Sequence, residues 1–529
     1  MSSYNKAKNA YQKVEKERIS CFEPQTFILG ILLSVLSAII CMQIIGKVGV
    51  TPNTSIMGAI VAMVLARIPL QSMLKFRSLE RQNLIQTAVS GAGFSAANSG
   101  FLTLGIFYVL GETGFLMPMA LGSIIGVTIS IFVVGKIYDS SIFPASAPWP
   151  PGVATARAIE AGDEGGNKAK RLLQGLIVGG IASYFKLPAA GIGIVFIANI
   201  FSMAALGIGL IIRGYSGLIF NGLDLGKTYI PHGIMIGAGL MALIQSIKVI
   251  IQGSKGNKEE KVTYTQSDDV TKKNLFMGIG LFLVGAIALA LISGITSELG
   301  GIKLILWLIW ATFSASAAML LVGMAAMHSG WFPAFAITTI FMTIGIFFGF
   351  PIIPLALLTG YVSSVGPCFA DMGYDLKTGW ILRGMGEDKE YELYGRKQQV
   401  IIEMIGGVIG IIVVVLTMNM YFGQDLVPPI SRVFATTVAA GADATLLKTL
   451  LMWAVPGLIL QAAFGPTKMV GVLFATGLLI NNPIYGVGVL LAVVVRLIFG
   501  TEFMEVRDAG LIAGDGLYGF FSALIKALI

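Results

Sequence analysis

Runs of about 20 apolar residues, the length of helix needed to cross a hydrocarbon core of about 30 Å, recur from one end of this 529-residue chain to the other. Candidate spans fall at approximately 26–48, 53–70, 84–110, 113–137, 172–185, 188–212, 231–251, 274–294, 302–325, 331–350, 352–370, 400–420, 447–464, 467–480, 483–499 and 509–528. On length alone the chain is expected to be all-α, a polytopic membrane bundle of about 14 to 16 transmembrane helices. Composition agrees: 55% of residues are hydrophobic and 12% charged, about half the charged share of a soluble domain. The 66 glycines do not oppose helix, because in membranes small residues let helix backbones approach closely.

Charge marks the connections. The polar arm Met1 to Arg18 is followed by a span that starts near residue 26, a pattern unlike a cleavable signal peptide, whose short apolar core follows its charges closely. Residues 1–25 are therefore expected to form a cytoplasmic arm. Lys75, Arg77 and Arg81 after the second span, and Lys136, Lys168, Lys170 and Arg171 later, should share its side of the membrane. The segment 255–273 (KGNKEEKVTYTQSDDVTKK) reads as a polar linker between transmembrane halves 26–254 and 274–529. That layout suits two structural repeats with discontinuous helices meeting near the midplane. The net charge of +8 is spread between spans rather than along one face, so it implies topology and not nucleic acid. Cys21, Cys41 and Cys368 have no metal-ligand spacing, and neither a disulfide framework, a metal site nor a cofactor is expected.

Segments that interrupt the apolar runs carry the chemistry. Pro144 to Ala156 (PASAPWPPGVATA) cannot be continuous helix, because each proline removes a backbone donor. It reads as an extended stretch entering a helix at Gly152, whose free N–H groups could face an anionic ligand; a plain cytoplasmic loop leading into an amphipathic helix is the other reading. Asn221, Asp224 and Tyr229 lie in a Gly-broken stretch that suits a second discontinuous helix, and Asn98, Asn481, Asn482 and Tyr485 add uncharged polarity near Pro483. His232 and His328, far apart and without HExxH, read as interfacial side chains.

Trp149 to Ala156 (WPPGVATA) resembles the proline-glycine-threonine/alanine element of the oligopeptide transporter superfamily, nearer its yellow stripe-like and prokaryotic branches. Arg81 to Phe101 (RQNLIQTAVSGAGFSAANSGF) is similar to that family's early Gln-Thr helix. Asp371 to Arg383 (DMGYDLKTGWILR) with Gln398 and Gln399 is similar to its Asp-x-Lys-Thr-Gly loop, and Gly510 to Phe520 (GLIAGDGLYGF) to its last Gly-Asp-Gly helix. The resemblance implies a helical bundle in the plasma membrane that moves oligopeptides or metal chelates inward with protons. One departure is notable: where the family often places an acidic residue before Gln86 and Thr87, this chain has Arg81 or Gln82.

Ionisable groups inside spans are costly and mark function. Asp515, flanked by glycines, is the preferred proton-carrying carboxylate, with Asp371, at the end of its apolar stretch, as the comparison. Arg496 is expected to snorkel, and Glu502, Glu505, Arg507 and Asp508 to form a solvated loop. The substrate-binding candidates are Gln86, Asn98, Pro151, Gly152, Thr155, Asn221, Tyr229, Asn482 and Tyr485. Neither an enzymatic constellation, a repeated channel filter nor a Walker A segment is present in the sequence. The expectation is a secondary transporter driven by a proton gradient, with the lipid bilayer and a small solute as partners and a homo-oligomer left open. A channel or membrane enzyme is the alternative.

Overall fold

A computed structural model describes residues 18–49, 51, 54–65, 75–162, 167–197, 199–225, 228–253, 264–329, 334–441, 444–465 and 468–504, and, near the C-terminus, 507–508, 510–512, 514–515, 518, 522 and 525. Expectations that fall on the first 17 residues, on 254–263 or on Glu505, and those on the side chain of His328, lie outside what it describes.

All regular elements among the described residues are helical. Seven are long and apolar enough to cross a membrane: Pro24–Lys47, Leu79–Leu110, Thr113–Ile137, Asp268–Ser293, Gly301–Met327, Ile352–Leu382 and Lys389–Phe422. Seven shorter apolar helices accompany them. We label as α1 Pro24–Val48, α2 Thr54–Leu65, α3 Leu79–Leu110, α4 Leu116–Ile137, α5 Pro150–Gly162, α6 Asn167–Tyr184, α7 Ala189–Ile197, α8 Ile200–Gly214 and α9 Ile230–Gly253. The second half supplies α10 Asp268–Ser293, α11 Gly301–Ser329, α12 Ala334–Phe347, α13 Ile352–Leu382, α14 Lys389–Phe422, α15 Pro429–Ala440, α16 Ala444–Phe464, α17 Val470–Leu479 and α18 Pro483–Phe499.

Local chemistry explains the boundaries. α1 begins at Pro24, where a missing N–H costs nothing, and ends at Gly49, whose left-handed φ of 75° lets its N–H reach the carbonyl of Ile45. α3 contains a π-helical turn from Ser95 to Phe101, a local widening that often accompanies function. Side chains then gather the helices around several cores. The main core joins α1, α3, α4 and α10 to α15 around Phe101, Trp149, Trp307, Tyr361 and Phe369. Smaller cores bind α7, α8 and α18 together, and α9 to α16 and α17. Close backbone approach through small residues holds these shorter helices: Gly477 of α17 lies against the carbonyl of Leu206, and Gly233 of α9 against Trp453. Phe276, Val284, Leu291, Leu416 and Leu497 stay exposed, as side chains facing lipid must.

Four sequence boundaries need correction. The spans expected to end at 370 and to start at 400 are longer: α13 runs on to Leu382 and α14 starts at Lys389. Asp375, Lys377, Glu392 and Arg396 in these extensions, and Arg383 at the end of α13, are buried between helices, and Asp371 lies well inside α13. The helix after the prolines starts at Pro150 instead of Gly152. The last residues of the presumed linker belong to α10, which begins at Asp268.

Candidate functional site

α3 carries its polar residues inward. Gln82, Asn83, Gln86, Thr87 and Ser90 are all buried, because this side of α3 meets α2, α13 and α14. Asp371 and Asp375 project from one face of α13, four residues apart, and Glu403 points in from α14. The carboxylates of Asp371, Asp375 and Glu403 come within 4.8 Å of one another. Ser90 donates to both oxygens of Asp371 at 3.0 and 3.1 Å, and Thr54 to Oδ1 at 3.1 Å. Asp375 Oδ1 accepts from Ser55 at 2.7 Å and from Gln86 Nε2 at 2.6 Å. Asp375 Oδ2 and both oxygens of Glu403 have no partner. Ionised together at that separation, each pair would repel by about 3 kcal/mol at an effective dielectric of about 20. Protons or a cation must therefore offset them.

Nearby basic groups do not supply the charge, since each bonds elsewhere. Arg383 Nε donates to Glu392 at 2.7 Å, and its other nitrogens reach Gln399 at 2.9 Å and Asn83 at 3.3 Å. Arg396 donates to the carbonyl of Tyr138 at 2.9 Å and to Glu392 at 3.3 Å. Lys377 donates to the carbonyl of Ala145 at 2.6 Å. Gln399 Nε2 completes the network with the carbonyl of Asp375 at 2.7 Å and Thr87 at 3.1 Å. Hydropathy gives no separate signal for Asp375, Arg383 and Glu392, which lie between the spans expected to end at 370 and to start at 400, or for Glu403, which lies just inside the second of them. The spacing of Asp371 and Asp375, and of Glu392, Arg396, Gln399 and Glu403, was the available signal: each set lies along one helix face.

The proline segment packs onto the same helix. Trp149 is fully buried, edge-on to Tyr374 with centroids 6.3 Å apart, and its backbone N–H donates to Met327 at 2.9 Å. Thr378 donates to the carbonyl of Gly152 at 3.1 Å, and Thr155 to that of Pro151 at 2.9 Å. A Cβ on Gly152 would meet the carbonyl of Tyr374 and lie 2.7 Å from Lys377 Cβ. Gly152 therefore faces protein at this point, and a Leu there would damage packing before it touched any solute.

At the aqueous end of α1, Glu23 pairs with Arg81 at 2.9 Å and Lys75 at 3.3 Å. The hydrogen bond from Arg81 holds its carboxyl down to about 2. The basic residue that stands where an acid was expected thus has an acid from the neighbouring helix beside it. Cys21, Cys41 and Cys368 are buried free thiols.

A second polar centre lies where α1, α6 and α18 meet around Asp515. Asp515, 1% exposed, accepts from Lys47 at 3.0 Å, from Tyr485 and from Ser183. Lys47 ends α1, Ser183 lies on α6 and Tyr485 in the first turn of α18. Of the remaining candidates, Asn482 caps α18 by accepting from the N–H of Tyr485 at 3.3 Å, and Asn98 accepts from Thr51 at 3.1 Å within the π-turn of α3. Asn221, with φ of 49°, and Tyr229, beside His232, are exposed in the connection between α8 and α9. Arg496 donates to the carbonyl of Val195. The structure therefore gathers Tyr485, capped by Asn482, with Asp515, and brings Gln86 into the Asp371 centre through Asp375; Pro151, Gly152 and Thr155 pack beside α13, and Asn221 and Tyr229 stand apart. Within the 502–508 cluster, Glu502 is exposed while Arg507 and Asp508 are half-buried and helical.

The model of the OPT oligopeptide transporter protein family matches residues 21–217 and 213–526. The chain belongs to the OPT oligopeptide transporter family. Family membership makes it a transporter of oligopeptide type and not an enzyme, in agreement with its many apolar helices. No curated protein matches the chain.

Proposed function

We propose that this OPT protein moves oligopeptides, or peptide-like or metal-chelate solutes, inward across the plasma membrane, driven by protons, and that Asp515 carries the driving proton. One observation supports the reading. Asp515 pairs with Lys47 of α1 and bonds Ser183 of α6 and Tyr485 of α18, so a proton arriving at Asp515 competes with the ammonium and weakens the polar link from α1 to α6 and α18. Tyr485 and Ser183 can keep their hydrogen bonds with either form of the acid. Asp371, the other candidate, accepts from Thr54 and Ser90 and has no basic partner among the described residues, so protonating it breaks no ion pair among them. A cytoplasmic N-terminus is the matching orientation, supported by Lys75, Arg77 and Arg81 after the second span.

The test is uptake into proteoliposomes of labelled tri- and tetrapeptides in parallel with ferric and nickel chelates, with and without an inward proton gradient. The reading expects accumulation of one class that an uncoupler abolishes. Equal entry with and without the gradient, or entry of neither class, refutes it.

A further inference from the structure

The geometry points to a binding site for one hard divalent cation of the calcium type, held by the carboxylates of Asp371, Asp375 and Glu403 with the hydroxyls of Thr54, Ser55 and Ser90. This site shares no residue with the Asp515 ion pair and does not depend on it.

The first observation is convergence. Three carboxylates from α13 and α14 have oxygens within 4.8 Å of one another, inside the roughly 5 Å that spans a calcium ion and two opposite oxygen ligands at 2.3–2.6 Å each. The second is independent of the clustering. Glu403 is fully buried, and neither of its carboxylate oxygens has a hydrogen-bond partner; Asp375 Oδ2 also lacks one. Buried acceptors left unpaired are costly unless something outside the chain satisfies them. Packing enforces this placement: a Cβ at Gly91 would strike Glu403 Cγ, and Gly406 abuts the carbonyl of Ala88, so α3 and α14 press together and seat Glu403 in the centre.

The donors select the ion. All are oxygens, and the thiol of Cys368, on the same helix as Asp371, is engaged with Ser95 and Ser99 at 3.5 and 3.1 Å. Oxygen-only sets favour hard cations over zinc or copper. Arg383, Arg396 and Lys377 are committed elsewhere, so the negative charge is available to a divalent ion. Magnesium usually retains several waters, whereas calcium accepts six to eight protein oxygens in flexible geometry. Three carboxylates and three hydroxyls in a dry interior suit the second. The hydroxyls that now donate to the acids can rotate and offer lone pairs. Since the ligands come from α2, α13 and α14 with Ser90 on α3, the ion would clamp four helices.

Binding of radioactive calcium to the detergent-purified full chain, stripped with chelator, tests this by equilibrium dialysis. One saturable site per chain is expected, not displaced by tenfold excess magnesium or by sodium. Glu403→Gln should weaken binding at least tenfold, and calcium should raise the Tm of the parent but not of this variant. Ser90→Ala, a milder change, should weaken binding several-fold and serves if Glu403→Gln does not fold. The proposal is overturned by absence of saturable calcium binding to the parent, by equal competition from sodium, or by unaltered binding in the variants. The readout is ion binding and not uptake, so failure of the transport experiment leaves it standing.

Discussion

Asp515→Asn removes one charge and almost no volume; Tyr485 and Ser183 reach different carboxylate oxygens, so the amide oxygen can accept from one hydroxyl while the amide NH2 donates to the other. The lost interaction is the pair with Lys47 at 3.0 Å. At that distance and an effective dielectric of about 20 the gross attraction is about 5 kcal/mol. Breaking a buried pair by removing one partner costs about 3 to 5 kcal/mol. Lys47, however, is 21% exposed, so its ammonium can recover some hydration and the net loss should be about 1 to 3 kcal/mol. Adding Lys47→Met should recover part of that loss, with a coupling of about 1 kcal/mol or more in the double-mutant cycle. In proteoliposomes, one proton per solute and one pH unit support about tenfold accumulation, since about 1.4 kcal/mol is a factor of ten. The variant should still bind and exchange labelled solute across the membrane yet show no accumulation. Additive effects in the cycle, or accumulation equal to the parent's, would refute the argument, and Asp371 would become the leading proton carrier.

Further outcomes follow from the same geometry. Glu392→Gln leaves the fully buried Arg383 without its charged partner and should cost about 3 to 5 kcal/mol in thermal or denaturant unfolding. Gly152→Leu should lower stability by about 1 to 3 kcal/mol or more through collision with α13, visible as reduced Tm before any change in solute affinity. Glu23, with its carboxyl held down to about 2 against an ordinary 4.5, contributes stability in full above the unfolded value. That contribution fades as pH falls from about 4.5 toward 2, so the Tm gap between parent and Glu23→Gln should be largest near neutral pH and at least halved by about pH 3. Single cysteines at Lys75 or Arg77 should resist impermeant thiol reagents in intact cells; labelling from outside would reverse the orientation.

Polar residues inside helices caused the main misreadings. Hydropathy marked α3 as starting near 84, whereas the helix begins at Leu79 and buries Gln82 and Asn83. Asp371 looked like the end of an apolar stretch because polar residues follow it; those residues continue the helix and face α3 and α14. A hydropathy window reports how well a segment suits lipid, and it cannot distinguish a polar residue facing water from one facing another helix. Asp371 and Asp515 nonetheless stand out as ionisable groups in apolar stretches, Tyr485 as polarity beside Pro483 and Gln86 through the family resemblance, and each is buried.

Helical class, membrane residence and the motif-bearing segments were determined by sequence alone, because apolar run length and proline or glycine placement act over a few turns of chain. Tertiary structure decided which polar groups meet. Lys47 and Asp515 are separated by 468 positions, and Gln86 and Asp375 by 289. Glu403 joins Asp371 and Asp375 only because glycines let α14 press against α3. No local property of the chain encodes those distances; they arise when helices bury their polar faces against one another, away from lipid that cannot hydrogen-bond them.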